Sequence, residues 1–388
     1  MCLPTNARLD NIKLECALFS VVVNLIMSTV CEKSNSDELL ALTVVHRHGD
    51  RTPIVFYPND PYKDSSIWNG TAAGDLTNVG KQQMYELGKW MRARYDNFLS
   101  KTYHKKEIYV LSSDEDRCIR SASALLAGLY PPVDTDVWNP NLPWNPIPVH
   151  AIPAQYDDIL YNLKSCPRRM QLFMEFLKRS EEENKDLIKY LEKHSGKQMR
   201  SILDIMFLAD ALSIETKKKL ALPEWTRALQ PEKLKSIRDA YFYYQTSTLE
   251  ITKFSVGRFH HELLKQFDAY AFYKERPHET KVKIYSGHDI NIHTILESLK
   301  IPHSVEIPLA AALLIELRKS TSGDLYVQML YKTDKTMLLP IVENDSKYGY
   351  EQFASILKTM AVSKNEYRKL CEIQCDCTVD YDVILQTL

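Results

Sequence analysis

Glycine is scarce in this chain, at 11 of 388 residues. No GxxxxGK[ST] or GxGxxG string occurs, so the backbone phosphate cradle of nucleotide-dependent kinases and dehydrogenases is missing. An excess of one charge is missing too: 49 Lys plus Arg stand against 50 Asp plus Glu, a net charge of −1. That balance excludes the broad basic field of nonspecific nucleic-acid binding, and any anion must be held locally. No apolar run reaches eighteen residues, and the polar ending CEIQCDCTVDYDVILQTL offers no C-terminal membrane anchor. Internal repeats and low-complexity tracts are absent. What is present, 45% hydrophobic and 26% charged residues, suits a folded chain with a sizeable core. At roughly 150 residues per domain the length predicts two domains.

The N-terminus carries a short apolar run, Ala17 to Met27, behind Arg8 and Lys13 and ahead of Ser28 and Thr29. It is too short to span a bilayer comfortably and matches a signal-peptide core, which predicts residues 1–33 as a leader cleaved around Val30 to Ser34. A buried helix or uncleaved anchor is the rival reading, kept open by Asn24, Asp10 and Glu15. The mature protein is then expected to be secreted, with the lysosomal lumen as the alternative. Eight cysteines occur, and in an oxidising compartment Cys166 and the trio Cys371, Cys375 and Cys377 are the natural disulfide candidates. Zinc at that trio is disfavoured, since Cys-x3-Cys-x-Cys lacks a second paired half. Asn69-Gly70-Thr71 and Asn344-Asp345-Ser346 are candidate glycosylation sequons in a secreted chain.

The body alternates strand-like and helix-like segments. Glu38 to Val45 is a continuous apolar run, as expected of a strand covered on both faces. Thr77 reads as a helix N-cap, followed by a stripe of Met84, Leu87, Met91, Tyr95 and Phe98 on a helix reaching about Leu99. Glu107 to Ser112 is the next strand, leading through acidic residues into the helical CIRSASALLAGLY. This βαβα opening marks an α/β fold. From Pro167 to Tyr273 only helical periodicity is found, with Leu222 to Trp225 as a linker, which predicts a helical insertion. Strands return at Lys281 to Tyr285, Ala311 to Arg318 and Leu325 to Lys332, the last two joined by a hairpin turn, and a helix near Tyr350 to Ala361 closes the chain. The predicted domains are an α/β unit of residues 34–166 and 274–388, interrupted by a helical cap of residues 167–273.

Three strand ends carry the chemistry: His46 to Pro53, Asp116-Arg117, and Ser286 to Asp289. Ligands of open α/β sheets bind outside the carboxyl ends of strands, so these loops are predicted to converge. Arg47, Arg51 and Arg117 are permanent planar cations that match phosphate oxygens, and grouping them is costly without a neutralising anion. His48 lies between two of them. Neighbouring positive charge keeps its imidazole neutral, and a neutral nitrogen can attack phosphorus, so His48 is the expected nucleophile. His288 is the expected donor to the phosphoryl group and Asp289 the expected general acid. A divalent metal held by His46, His48 and Asp50 is the competing reading, opposed by the adjacent arginines. Arg120 is expected to be structural, and Tyr241 to Tyr244 to be core and interface rather than a substrate platform.

RHGDRTP at Arg47 to Pro53, DEDR at Asp114 to Arg117 and SGHD at Ser286 to Asp289 resemble the three signatures of the histidine acid phosphatases. WNPNLPWNPIPVH, CPR and LPEW extend the resemblance over nearly the whole mature chain, and the HD ending resembles the prostatic, lysosomal and insect venom branch rather than the phytases. The resemblance implies a phosphoglycerate-mutase-like α/β sandwich with a mainly α-helical cap. It implies a secreted acid phosphatase acting on small phosphate monoesters without metal or other cofactor, often as a homodimer. In this reading Arg47, Arg51, Arg117 and His288 bind phosphate, His48 forms the phosphohistidine and Asp289 donates the proton. Family members usually carry three disulfides; only one, Cys166 to a C-terminal cysteine with Cys371 as candidate, is expected here. A phosphomutase and a noncatalytic secreted phosphate-ligand-binding protein are the rival functions. The presence of both His48 and Asp289 argues against the second.

Overall fold

The computed structural model describes residues 37–273, 280–339 and 347–373. The predicted leader, the Asn344 sequon, Cys375 and Cys377 lie outside the described residues. The apolar run forms β1 (Glu38–Arg47), at the middle of a mixed sheet. β2 (Ile108–Ser113), β3 (His150–Ile152) and β4 (Val282–Gly287) continue the sheet on one side, in the order β3-β2-β4-β1, all parallel. On the other side, β5 (Ala312–Lys319), β6 (Leu325–Lys332) and β7 (Thr336–Leu339) are antiparallel to their neighbours. The two-residue β8 (Tyr348–Gly349) pairs with β6. The expected hairpin thus joins β5 and β6.

The middle of β1 is largely apolar, at Leu39 to Leu42, Val44 and Val45, because helices cover both faces of the sheet. Leu42 and Val44 pack with Met84, Leu87 and Met91 of α1 (Asn78–Arg94) and Leu125 and Leu129 of α2 (Asp116–Leu129). Ala41 and Val45 turn to the opposite face. There they meet Phe259, Leu263 and Phe267 of a long helix, Leu249–Phe272, and Ile292 and Ile295 of the helix Asp289–Ser298. Phe353 and Leu357 of the helix Tyr350–Met360 complete that layer. The result is an α/β sandwich of three layers.

In chain order, the remaining helices after α2 are α3 (Pro167–Glu183), α4 (Lys185–Ser195), α5 (Ile202–Lys217) and α6 (Pro231–Tyr244). The long helix is α7, Asp289–Ser298 is α8, Tyr350–Met360 is α9, and α10 is Lys364–Leu370. Helices α3 to α6 bury their own cluster, which includes Phe173, Leu191, Ile205, Leu212 and Ile237, together with Tyr57 from the loop after β1. No helix among the described residues is long and apolar enough to cross a membrane.

Thr77 caps α1 as expected, its side chain accepting from the Gly80 amide. The helix stops at Arg94, short of the expected Leu99. Tyr95, the C-cap, still packs with Met84, Leu87 and Met91 as the stripe predicts, and its hydroxyl donates to Glu316, a fully buried carboxylate on β5, at 2.7 Å. Past it the chain continues in turns, with the Leu99 amide donating to the Tyr95 carbonyl at 2.8 Å. Cys166 and Cys371 form a disulfide that ties the start of α3 to the end of α10. Closing a loop of 205 residues in sequence separation is a crosslink of the class that contributes about 2–4 kcal/mol. Ala311 and Ala312 are fully buried, one on each face of the sheet.

Candidate active site

Because β2, β4 and β1 are parallel neighbours, their carboxyl ends lie along one edge, and the three signature loops meet there. The loop after β1 is seated by contact of backbone on backbone: a Cβ at Gly49 would stand 2.4 Å from the Gly80 carbonyl oxygen. Only glycine permits that approach. The Asp50 amide donates to Gln83, and the Asp50 carboxylate accepts from the Thr77 hydroxyl at 2.6 Å. Asp50 is thus turned to the start of α1, while His46 sits fully buried with its Nδ1 3.2 Å from the Arg47 carbonyl. The metal triad of His46, His48 and Asp50 does not assemble.

His48 is 3% exposed, and its Nδ1 lies 2.9 Å from the Gly49 carbonyl oxygen. A carbonyl only accepts, so Nδ1 carries the proton and Nε2 presents a lone pair. Burial is the main force holding the ring well below its ordinary pKa, and the charges of Arg47, His288 and Arg51 add to it. Its imidazole stands edge-on to that of His288, ring centres 5.7 Å apart. His288 caps α8, its amide donating to Asn291 Oδ1 at 2.8 Å, and its Nε2 is 3.1 Å from the Ser113 hydroxyl. Burial, then Arg117, pushes His288 down to about 3.

All three predicted arginines converge on this edge, but each already has a carboxylate partner. Arg47 pairs with Asp289 at 2.9 Å and also donates to the Ile307 carbonyl. Arg51 makes a forked pair with Asp210 of α5, at 2.8 and 3.1 Å. Arg117 pairs with Glu115 at 2.9 Å. The expectation that only a bound anion could offset the cluster is therefore corrected: internal carboxylates offset it. Burial works against the charge of Asp289, but Arg47, His288 and Arg51 outweigh it and hold the carboxyl below its ordinary value.

Asp210 was not legible in sequence, where FLADAL carries no motif; only its apposition across 159 residues singles it out. Cys118, a buried free thiol 3.8 Å from His288 Nε2, was also unassigned, and burial raises it to about 11. Arg120 pairs with Asp75 at 3.0 Å on the partly exposed side of α2. In the tyrosine-rich stretch Phe242 and Tyr244 are buried and Tyr243 is exposed. Asn69 is exposed at a left-handed turn.

A neutral imidazole with a free Nε2 beside three guanidinium groups is an arrangement for attack on a phosphoryl group held by forked hydrogen bonds. Comparison with known proteins agrees. Residues 38–332 match the histidine phosphatase superfamily (branch 2). The chain is 34% identical over 307 residues to bovine prostatic acid phosphatase, covering 76% of this chain and 78% of that one. It is 33% identical over 326 residues to the lysosomal acid phosphatase of Xenopus laevis, covering 82% and 74%. Among solved structures, the apo phytase of Hafnia alvei superposes with a TM-score of 0.61 at 15% identity, over 86% of this chain and 98% of that one. That last likeness is one of fold.

Proposed function

This chain belongs to branch 2 of the histidine phosphatase superfamily, and we propose that it hydrolyses phosphate monoesters at acidic pH through a phosphohistidine on His48. It is an acid phosphatase, and the noncatalytic reading is not favoured. The observation that carries the mechanism is the Nδ1 tie of buried His48 to the Gly49 carbonyl, which leaves Nε2 as the nucleophile. Arg47, Arg51, Arg117 and His288 hold the equatorial oxygens while His48 attacks in line. Asp289 protonates the departing alkoxide, and water then cleaves the P–N bond of the phosphohistidine, releasing phosphate and restoring the imidazole.

The ion pairs of the free site have a mechanistic use. Entry of a phosphate dianion offers Arg47 a competing partner and adds negative charge next to Asp289. Both changes raise the carboxyl's pKa from its depressed value in the free protein, so that it can hold the proton it must donate.

The pH dependence follows. His48 loses its lone pair on protonation, and since its pKa lies well below the ordinary value, the acid limb of the rate falls far into the acidic range. The basic limb follows loss of the Asp289 proton in the complex. Hydrolysis of para-nitrophenyl phosphate from pH 3 to 9, with EDTA present, is expected to peak on the acidic side and resist the chelator. A flat profile, or loss of activity with EDTA in short assays, would overturn this reading.

Asp210 positions Arg51. Asp210→Ala is expected to lower kcat/KM by about tenfold, because an arginine released from its fork no longer meets the phosphate in a fixed orientation. Asp210→Glu should recover part of the loss, and an unchanged kcat/KM in Asp210→Ala would remove this role. Secretion is supported by the Cys166–Cys371 disulfide, which belongs to an oxidising compartment, and by the exposed Asn69 as a glycan acceptor; the lysosomal lumen is the alternative destination.

A further inference from the structure

We propose that His293, Glu297 and His303 form a binding site for a divalent transition-metal ion of the zinc type, separate from the phosphate-binding groups. The three side chains bring one ligand atom each to within 4.8 Å of one another. His293 and Glu297 are one turn apart on α8 and share a face. His303 comes from the loop that follows.

The geometry of the two imidazoles carries the inference. His303 Nδ1 lies 2.8 Å from the Ile301 carbonyl, so that nitrogen carries the proton and Nε2 presents a lone pair. That lone pair faces His293 Nδ1 at 2.9 Å. His293 is fully buried, and its Nε2 has no hydrogen-bond partner. Without a cation, either tautomer of His293 is costly. A proton on Nδ1 satisfies His303 but leaves a buried Nε2 lone pair without a donor. A proton on Nε2 leaves a buried N–H without an acceptor and sets two ring lone pairs head to head. A metal ion removes the conflict between the facing lone pairs: both become ligands, and the outer N–H of His303 points at the Ile301 carbonyl, the usual outer support of a metal-bound histidine.

Two imidazoles and a carboxylate form a ligand set suited to Zn²⁺ and its neighbours rather than to Mg²⁺ or Ca²⁺. Tetrahedral ligation with bonds of about 2.0–2.1 Å asks two nitrogens to stand roughly 3.3 Å apart, a small opening of the present pair. The surroundings give the ion a structural task. The loop that carries His303 also carries Ile307, whose carbonyl receives Arg47, and Glu306, which reaches Arg238 of α6 at 3.5 Å. From α6, the rings of Phe242 and Tyr243 pack edge-on against His293. An ion here would pin α8, the Arg47-supporting loop and the cap helix together.

The test is equilibrium dialysis of metal-stripped, tag-free protein against ZnCl₂ at neutral pH, combined with calorimetry. Wild type is expected to retain one more equivalent of zinc than His303→Ala or Glu297→Gln, and its Tm to rise with zinc by a few degrees more than theirs. In each variant, affinity at this site should fall by more than the roughly 10–100-fold that loss of an outer partner costs. Each should keep its phosphatase rate without metal, which shows that it has folded. Equal zinc retention in wild type and both variants, or no zinc-dependent rise in Tm, would overturn the site. Because catalysis is expected to resist EDTA, failure here is distinguishable from failure of the phosphohistidine mechanism.

Discussion

His48→Ala is expected to lower kcat on para-nitrophenyl phosphate by on the order of 10⁴-fold or more, the scale seen when a nucleophile that works with its neighbours as a unit is removed. No neighbour can take its place. His288 Nε2 is engaged near Ser113, and His46 lies fully buried beside the Arg47 carbonyl, outside the arginine cluster. The loss should be covalent in character, so rapid quench into alkaline denaturant with ³²P-labelled substrate, which preserves the acid-labile P–N bond, is expected to trap a phosphoprotein in wild type and none in the variant. Because His48 is neutral in the folded protein, its replacement deletes no charge. Folding is checked by Tm, and rescue by added imidazole would show that the pocket is intact. A variant retaining a tenth of wild-type kcat would remove His48 from the nucleophile's role.

Asp289→Asn should separate proton donation from phosphate binding. For alkyl phosphates, whose alkoxides leave poorly, kcat is expected to fall by about 10²–10⁴-fold, the range that general acid catalysis supplies. For para-nitrophenyl phosphate the loss should be much smaller, since its phenolate leaves without a full proton. KM should hold or fall, because Arg47 no longer divides itself between Asp289 and the substrate. The measurement is kcat across a series of leaving groups, which should depend more steeply on leaving-group pKa in the variant. Equal losses for good and poor leaving groups would instead assign Asp289 to positioning Arg47, the task its ion pair already performs.

The groups proposed to react were legible as candidates because each lies within a short string at the end of a readable strand. β1 could be read from its largely apolar run, since helices cover both sheet faces; Thr43 within it is satisfied by donating to Gln266 of α7. Thr77 could be read as a cap from its place ahead of the helical stripe. The end of α1 could not: Tyr95, Phe98 and Leu99 keep the apolar spacing and pack with the stripe, yet the residues after Arg94 form turns rather than helix, a difference that apolar spacing does not record. Helix α8 was hidden behind the motif that opens it, and the short strands β3 and β7 carry too few residues for a period to show. The long helix α7 reads like the helices before it, yet it packs on the sheet, because an apolar stripe does not state which surface it covers.

The sequence alone determined the chemical inventory: an α/β order of elements, a histidine set between arginines, a His-Asp pair after a later strand, and cysteines suited to an oxidising compartment. Those properties are local in the chain. Only the tertiary structure decided that Arg51 is forked by Asp210, that Arg47 pairs with Asp289, and that His303 faces His293. Charge pairing and lone-pair direction are settled by where the backbone places side chains in three dimensions. Coulomb energy and hydrogen bonding depend on distance in space and on burial, and neither quantity is written in residue order.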